Sequence, residues 1–145
     1  MVISFQKIFG LSIVWMRVAL AIIFIWFGLL KLSGNNPVYE IVHASFPFLA
    51  DGTGNYVLAI FETLIGFGLL FDLFHKTTHI FLLLHLLGTF GVFVFAPEIA
   101  FDPYFPFLTL AGEFVLKNIA LAVGGLIVLS APAPIKLKSL ARRSK

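Results

Sequence analysis

Residues 107–130 form the stretch that most constrains what this chain can fold into. The stretch is apolar and about 24 residues long, so as one helix it can cross a bilayer core of about 30 Å. It nevertheless carries Glu113 and Lys117 in its first half, four residues apart. Because charged side chains are costly in lipid unless they face protein or water, the rest of the chain is expected to supply a partly polar interior.

The composition supports lipid as the solvent for most of the chain. Of 145 residues, 60% are hydrophobic and 12% charged, against roughly 25% charged in soluble domains. The chain has no cysteine, which excludes disulfides, thiol redox chemistry and thiolate metal sites. The first apolar run is longer than a signal-peptide core and contains Arg17, so we interpret it as a membrane span.

Hydropathy and turn residues predict an all-α membrane protein, with four antiparallel transmembrane helices in a bundle. The bundle is one domain over residues 1–145, with spans at about 11–33, 56–74, 79–96 and 107–130, and a basic cytoplasmic tail at 131–145. Between the first two spans, residues 38–49 place apolar side chains at helical spacing. This pattern predicts a short amphipathic helix on the outer membrane surface, interrupted at Pro47.

The distribution of lysine and arginine predicts the orientation. With four spans, all the basic residues that lie outside the spans fall on one side, namely Lys7, Lys76, Lys136, Lys138, Arg142, Arg143 and Lys145. The other two loops carry only acidic charges. The positive-inside rule then puts both termini in the cytoplasm, in a multi-pass protein of the cytoplasmic (inner) membrane. The basic tail is expected to contact membrane lipid and no nucleic acid.

Polar and small residues recur at helical spacing within each span, which predicts inward faces. Lys31, Glu62 and Glu113 lie near the outer ends of three spans, and Lys117 lies deeper. We therefore expect these four side chains to meet in the outer half of the bundle, near His85. Two acids and two bases cancel, which lets such a cluster persist at low dielectric.

Two interpretations of this cluster are open: a buried network that fixes helix register, or the lining of a cavity that binds a small ligand or passes protons. Intramembrane ionisable residues favour function, so the candidate ligand-binding residues are Lys31, Glu62, His85, Glu113 and Lys117. His85 is either a ligand contact or proton relay, or a core histidine bonded to Thr89 or to a neighbouring helix. Arg17, deeper toward the cytoplasm, is expected to form a structural ion pair with Asp72 or to reach lipid phosphate.

Other chemistries find little support in the residue pattern. His75 and His79 are four residues apart, but no third ligand has suitable spacing, so no metal site is predicted. The chain has no phosphate-binding glycine loop, nucleotide fingerprint or nucleophile elbow. With no catalytic motif visible, whether the chain is an enzyme stays open.

Three segments resemble the DoxX-like family of small bacterial membrane proteins. Arg17, Phe24, Gly28 and Lys31 in the first span, and Glu62 with Gly66 in the second, are similar to that family's motifs. Gly112-Glu113 and Lys117-Asn118 resemble a motif of the branch that includes a reactive-chlorine-resistance membrane protein, with Glu113 and Asn118 in place of its arginine and aspartate. The resemblance implies a four-helix membrane bundle, and a link to quinone or sulfur redox chemistry, stress resistance or membrane-protein assembly.

The leading hypothesis is a DoxX-like protein that binds a quinone or similar lipophilic ligand in redox or oxidative-stress defence. If the chain is an enzyme, the expected type is a quinone-linked redox subunit. A second hypothesis is a non-enzymatic accessory or assembly subunit that packs beside a partner membrane protein. A third is a small proton-coupled transporter, for which four spans per chain would call for a homodimer. Glycine pairs such as Gly124-Gly125 fit oligomer contacts and internal packing equally.

Overall fold

A computed structural model describes residues 5–131 of the chain, with side chains from residue 8 onward. This part of the chain forms eight helices: α1 (Phe5–Leu32), α2 (Tyr39–Ser45), α3 (Pro47–Ala50), α4 (Gly52–Phe71), α5 (His75–Thr89), α6 (Val92–Phe95), α7 (Pro97–Ala100) and α8 (Leu110–Ser130). Four segments are long and apolar enough to cross a membrane: Ile8–Leu32, Gly52–Phe71, His75–Phe95 and Leu110–Ser130. The predicted all-α fold with four spans is confirmed, and the chain is a multi-pass membrane protein. The predicted tail lies outside the described residues, apart from Ala131.

The spans end where local backbone chemistry stops a helix, and this shifts several predicted boundaries. Asp72 and Phe74 adopt left-handed backbone conformations, with φ of 55° and 45°, so α4 ends at Phe71 and α5 begins at His75 after a very short turn. The last span begins at Leu110 rather than at 107, because the Thr109 side chain accepts a hydrogen bond from the Gly112 amide and caps α8.

The four spans form a closed ring in which α1 and α5 each pack against both α4 and α8. The closest approach is between α1 and α4. A Cβ atom at Gly28 would lie 2.8 Å from the Ala59 oxygen, and one at Gly66 would lie 2.7 Å from the Ile25 nitrogen. Only glycine permits this backbone contact, which brings the polar residues of the two helices together. Inside the ring lies an apolar core that includes Leu20, Phe24, Ile65, Leu69, Leu82 and Leu86.

The connection between the first two spans forms the predicted short helix, broken before Pro47 into α2 and α3. Ile41 and Val42 face the inside of the bundle and line a cavity there, while Glu40 and His43 are exposed. Two hydrogen bonds fix this connection: one from Asn36 Nδ2 to Asn55 Oδ1 at 3.0 Å, and one from Asn55 Nδ2 to the Lys31 oxygen at 3.3 Å. The α2–α3 segment therefore covers one end of the bundle as a cap.

Candidate functional site

Glu62 is the centre of a cluster that joins three spans. Lys31 Nζ donates hydrogen bonds to both of its carboxylate oxygens, at 3.0 and 2.7 Å. His85 Nε2 lies 3.2 Å from Glu62 Oε1. The side chains of Lys31, Glu62 and His85 are only 1, 6 and 14% exposed. We call these three residues the cavity triad. Of the two arrangements considered for His85, the structure shows the contact with a neighbouring helix and not a bond with Thr89.

Local structure explains why this buried ion pair forms. Lys31 lies in the last turn of α1, where the helix dipole favours a cation. The Phe27 ring lies 5.5 Å from Lys31 Nζ and adds a cation–π contact. Phe24 and Phe61 pack against the His85 ring, at centroid distances of 5.4 and 6.2 Å. Aromatic rings therefore exclude water from the triad on several sides.

The prediction that Glu113 and Lys117 join this cluster is wrong. They bond each other at 3.4 Å, away from the cavity triad, with side chains 53 and 73% exposed. The buried face of α8 instead includes Gly112, Val115 and Asn118, and its centre lies on nearly the opposite side of the helix from Glu113 and Lys117. A Cβ atom at Gly112 would lie 3.0 Å from the Ala100 carbonyl carbon, so this close contact fixes the rotation that turns Glu113 outward.

A cavity of about 770 Å³ lies between the four spans and the cap. Most of its lining is aliphatic or aromatic, and its polar lining residues are Lys31, Ser45, Glu62, His85, Thr89, Lys117 and Asn118. Of the five candidate ligand-binding residues, the cavity triad and Lys117 line it, whereas Glu113 does not. An apolar cavity with a few convergent polar groups is the usual form of a small-molecule site.

Asn118 is a cavity residue that the sequence interpretation did not select. It is 6% exposed, and its Nδ2 atom donates to Thr89 Oγ1 at 2.9 Å. The sequence contained a signal for it, since Asn118 shares one helical face with Val115 and Gly125. The neighbouring charges of Glu113 and Lys117 instead indicated a face of α8 that the structure leaves exposed.

A second ionic cluster lies at the α4–α5 connection. Arg17 Nη1 lies 2.9 Å from Asp72 Oδ2, and His75 Nδ1 lies 2.7 Å from Asp72 Oδ1; we call these residues the turn triad. Burial raises the pKa of Asp72, but hydrogen bonds from His75 and Arg17 outweigh burial and hold that pKa below its usual value. Within residues 5–131, no group of three or more His, Cys, Asp or Glu side chains is placed to hold a metal ion.

Comparisons of the chain with family models, with curated proteins and with solved structures found no match. The resemblance to the DoxX-like proteins therefore stays a prediction.

Proposed function

We propose that this membrane protein binds a small lipophilic ligand, a quinone or a molecule of similar chemistry, in the cavity between its four spans. The observation that carries this proposal is the cavity triad, three ionisable side chains from three helices on the wall of a mostly apolar space. The cavity volume of about 770 Å³ lies within the range of roughly 300–1,000 Å³ found for small-molecule sites.

The triad offers hydrogen bonds that suit a carbonyl oxygen. An ammonium group has three N–H donors, and Lys31 uses two of them on Glu62, so one remains for a ligand. Glu62 neutralises the lysine charge and thereby keeps the cavity compatible with an uncharged molecule. A buried ion pair contributes little net stability, because desolvation offsets the attraction. Its position beside a cavity therefore favours a role in binding.

The proposed setting is the cytoplasmic membrane of a bacterial-type cell, in redox or oxidative-stress defence, as the DoxX-like resemblance implies. Lys76 lies in the first turn of α5, next to the connection between the second and third spans, while Glu40, Asp51, Glu98 and Asp102 lie in the two connections at the opposite end. By the positive-inside rule, both termini are cytoplasmic. The cavity then lies in the outer half of the membrane.

A second candidate function, that of an accessory subunit beside a partner membrane protein or a second copy, has one observation in its favour. The exposed Glu113–Lys117 pair offers polar contacts on α8. Stoichiometric co-purification of a partner, lost in a Glu113→Leu variant that leaves the cavity wall unchanged, would support this function. Proton transport is less favoured, because buried apolar side chains such as Leu20, Leu69 and Leu82 lie between the two triads along each helix.

The ligand proposal is tested by filling the cavity. A Cβ atom at Gly88, which lines the cavity, would meet nothing within 4 Å, so Gly88→Leu should occupy ligand space without straining the helices. We expect detergent-solubilised protein to bind decylubiquinone in a calorimetric titration. Gly88→Leu should raise the dissociation constant by about tenfold or more, which corresponds to roughly 1.4 kcal/mol of binding free energy.

The matched control is Ala120→Leu, which adds the same side chain on the exposed face of α8, away from the cavity. It should bind the quinone as the unmodified protein does. The proposal fails if the unmodified protein does not bind the probe, or if Gly88→Leu binds it equally well at unchanged thermal stability.

A further inference from the structure

Asn118 has hydrogen-bonding capacity that its protein contacts do not use. Among the described residues it makes one hydrogen bond, from Nδ2 to Thr89 Oγ1. A side-chain amide offers two N–H donors and an oxygen with two lone pairs, so one N–H group and the oxygen are left over. Because Asn118 lies on the wall of the cavity, these unused groups can form hydrogen bonds with a ligand there.

The contact with Thr89 does not explain why an amide stands at this position. Thr89 Oγ1 donates its own proton to the Leu86 oxygen at 2.7 Å, so this hydroxyl is hydrogen-bonded without Asn118. An apolar residue at position 118 would leave no unpaired donor on Thr89. The value of the amide to the fold is therefore small.

The cavity has two separate polar regions along α5. His85, in the cavity triad, and Thr89, bonded to Asn118, both line the cavity one helical turn apart. Side chains at this spacing have Cβ atoms about 5–6 Å apart. Gly88 lies between them and faces open space. We call Thr89 and Asn118 the amide pole of the cavity.

The cap adds a further group with unused capacity. Ser45 Oγ, on the α2 helix, is buried and has no hydrogen-bond partner within the part of the chain that the structure describes. Ser45 lines the same cavity as Asn118 and the cavity triad. A polar group of a bound ligand would satisfy such a hydroxyl.

We propose that the cavity selects a cyclic ligand with hydrogen-bonding oxygens at two opposite ends, one at the cavity triad and the other at the Asn118 amide. Oxygens on opposite sides of a six-membered ring point in opposite directions, so each can accept a hydrogen bond from a different polar region of the cavity. This inference rests on the proposed function and adds to it a second recognition point, with Asn118 as the residue that distinguishes two-oxygen from one-oxygen rings.

The test compares two bicyclic probes of similar size, 2-methyl-1,4-naphthoquinone with two ring carbonyls and 1-tetralone with one. Dissociation constants are measured by calorimetry on the full chain in detergent, for the unmodified protein and for Asn118→Leu. We expect the unmodified protein to prefer the two-carbonyl probe by about tenfold, which one additional hydrogen bond can supply. Asn118→Leu should lose this preference while its affinity for 1-tetralone stays the same.

Two further variants separate recognition from folding. If Asn118→Leu is poorly folded, Asn118→Ala takes its place. It also lacks the amide and should likewise lose the preference for the two-carbonyl probe. Gly88→Ala changes the cavity wall without changing a polar group and should keep the preference. The inference is overturned if the unmodified protein binds both probes equally, or if Asn118→Leu lowers the affinity for both probes by the same factor. In either case the proposed function stands. If the unmodified protein binds neither probe, the proposed function fails and the inference with it.

Discussion

The cavity triad and the turn triad are built to the same plan in different surroundings. Each combines a cation from α1, a carboxylate in α4 or at its C-terminal cap, and a histidine of α5. The cation–carboxylate distances are 2.7 Å in the cavity triad and 2.9 Å in the turn triad. The turn triad is partly exposed, with side chains of Arg17 and Asp72 that are 18 and 15% accessible. Of the two, only the cavity triad lines the cavity.

This difference indicates different roles for similar chemistry. Asp72 ends α4 in a left-handed conformation and His75 begins α5, so the turn triad ties a helix connection together at modest desolvation cost. The cavity triad lies within the spans, where there is no helix connection to stabilise. Its charges are almost completely removed from water, so their desolvation penalty is close to the full value. Free space beside a polar cluster, rather than its composition, therefore separates a ligand site from a structural tie.

The largest expected effect comes from breaking the buried pair of the cavity triad. Glu62→Leu leaves the Lys31 ammonium buried without its counter-charge, which should lower the free energy of unfolding by about 3–5 kcal/mol. Lys31→Met/Glu62→Leu removes both charges and should restore most of that stability, while binding of decylubiquinone is lost. Both quantities are measured in detergent, by chemical denaturation and by calorimetric titration.

The matched experiment on the turn triad is Arg17→Met/Asp72→Leu, which should leave quinone binding unchanged. The conclusion that the two triads differ in role is contradicted if Glu62→Leu lowers the free energy of unfolding no more than Asp72→Leu does. It is also contradicted if the double variant of the cavity triad still binds the probe.

The parts of the fold that hydropathy and spacing determine could be predicted from the sequence. Four apolar runs of membrane-spanning length predict four spans whatever the tertiary contacts. The alignment of Arg17, Gly28 and Lys31 on one face of α1 predicts how that helix meets α4, since glycine marks the close contact. The same spacing argument brings Lys31 to Glu62.

The rotation of α8 could not be predicted in the same way. Two faces of this helix, one with Glu113 and Gly124 and one with Asn118 and Gly125, each combine polar and small residues. Contacts outside the helix decide between them, since a Cβ atom at Gly112 would meet the Ala100 backbone. Such contacts depend on the loop fold, and no spacing rule within α8 reports them.

A smaller effect is expected from Asp72, and it depends on pH. Because the folded pKa of Asp72 is lowered, its stabilising contribution is fully present above the unfolded value of about 3.9 and is lost as the pH falls through the lower folded value. Asp72→Asn should lower the free energy of unfolding by about 1 kcal/mol near neutral pH. It should also make the loss of stability below about pH 4 less steep. Unfolding midpoints between neutral and acid pH measure both effects.

The control for Asp72 is Glu98→Gln, which changes an exposed carboxylate outside both triads and should leave the midpoint unchanged at neutral pH. An acid decline that is as steep in Asp72→Asn as in the unmodified protein would show that the turn triad does not couple stability to pH.

The smallest effect is expected at Glu113 and Lys117, two of the five residues that the sequence predicts in the site. The Glu113–Lys117 pair is exposed and lies within two turns of the start of α8, so both side chains can reach the polar interface of the membrane. Exposed ion pairs contribute about 0–1 kcal/mol, and Glu113→Gln or Lys117→Gln should therefore change the unfolding free energy by less than about 0.5 kcal/mol. Glu113→Gln should also leave quinone affinity unchanged, because Glu113 lies off the cavity wall. A loss of stability comparable to that of Glu62→Leu would mean that this face of α8 is buried in the working protein, and would remove the contrast between buried and exposed charges on which the site assignment depends.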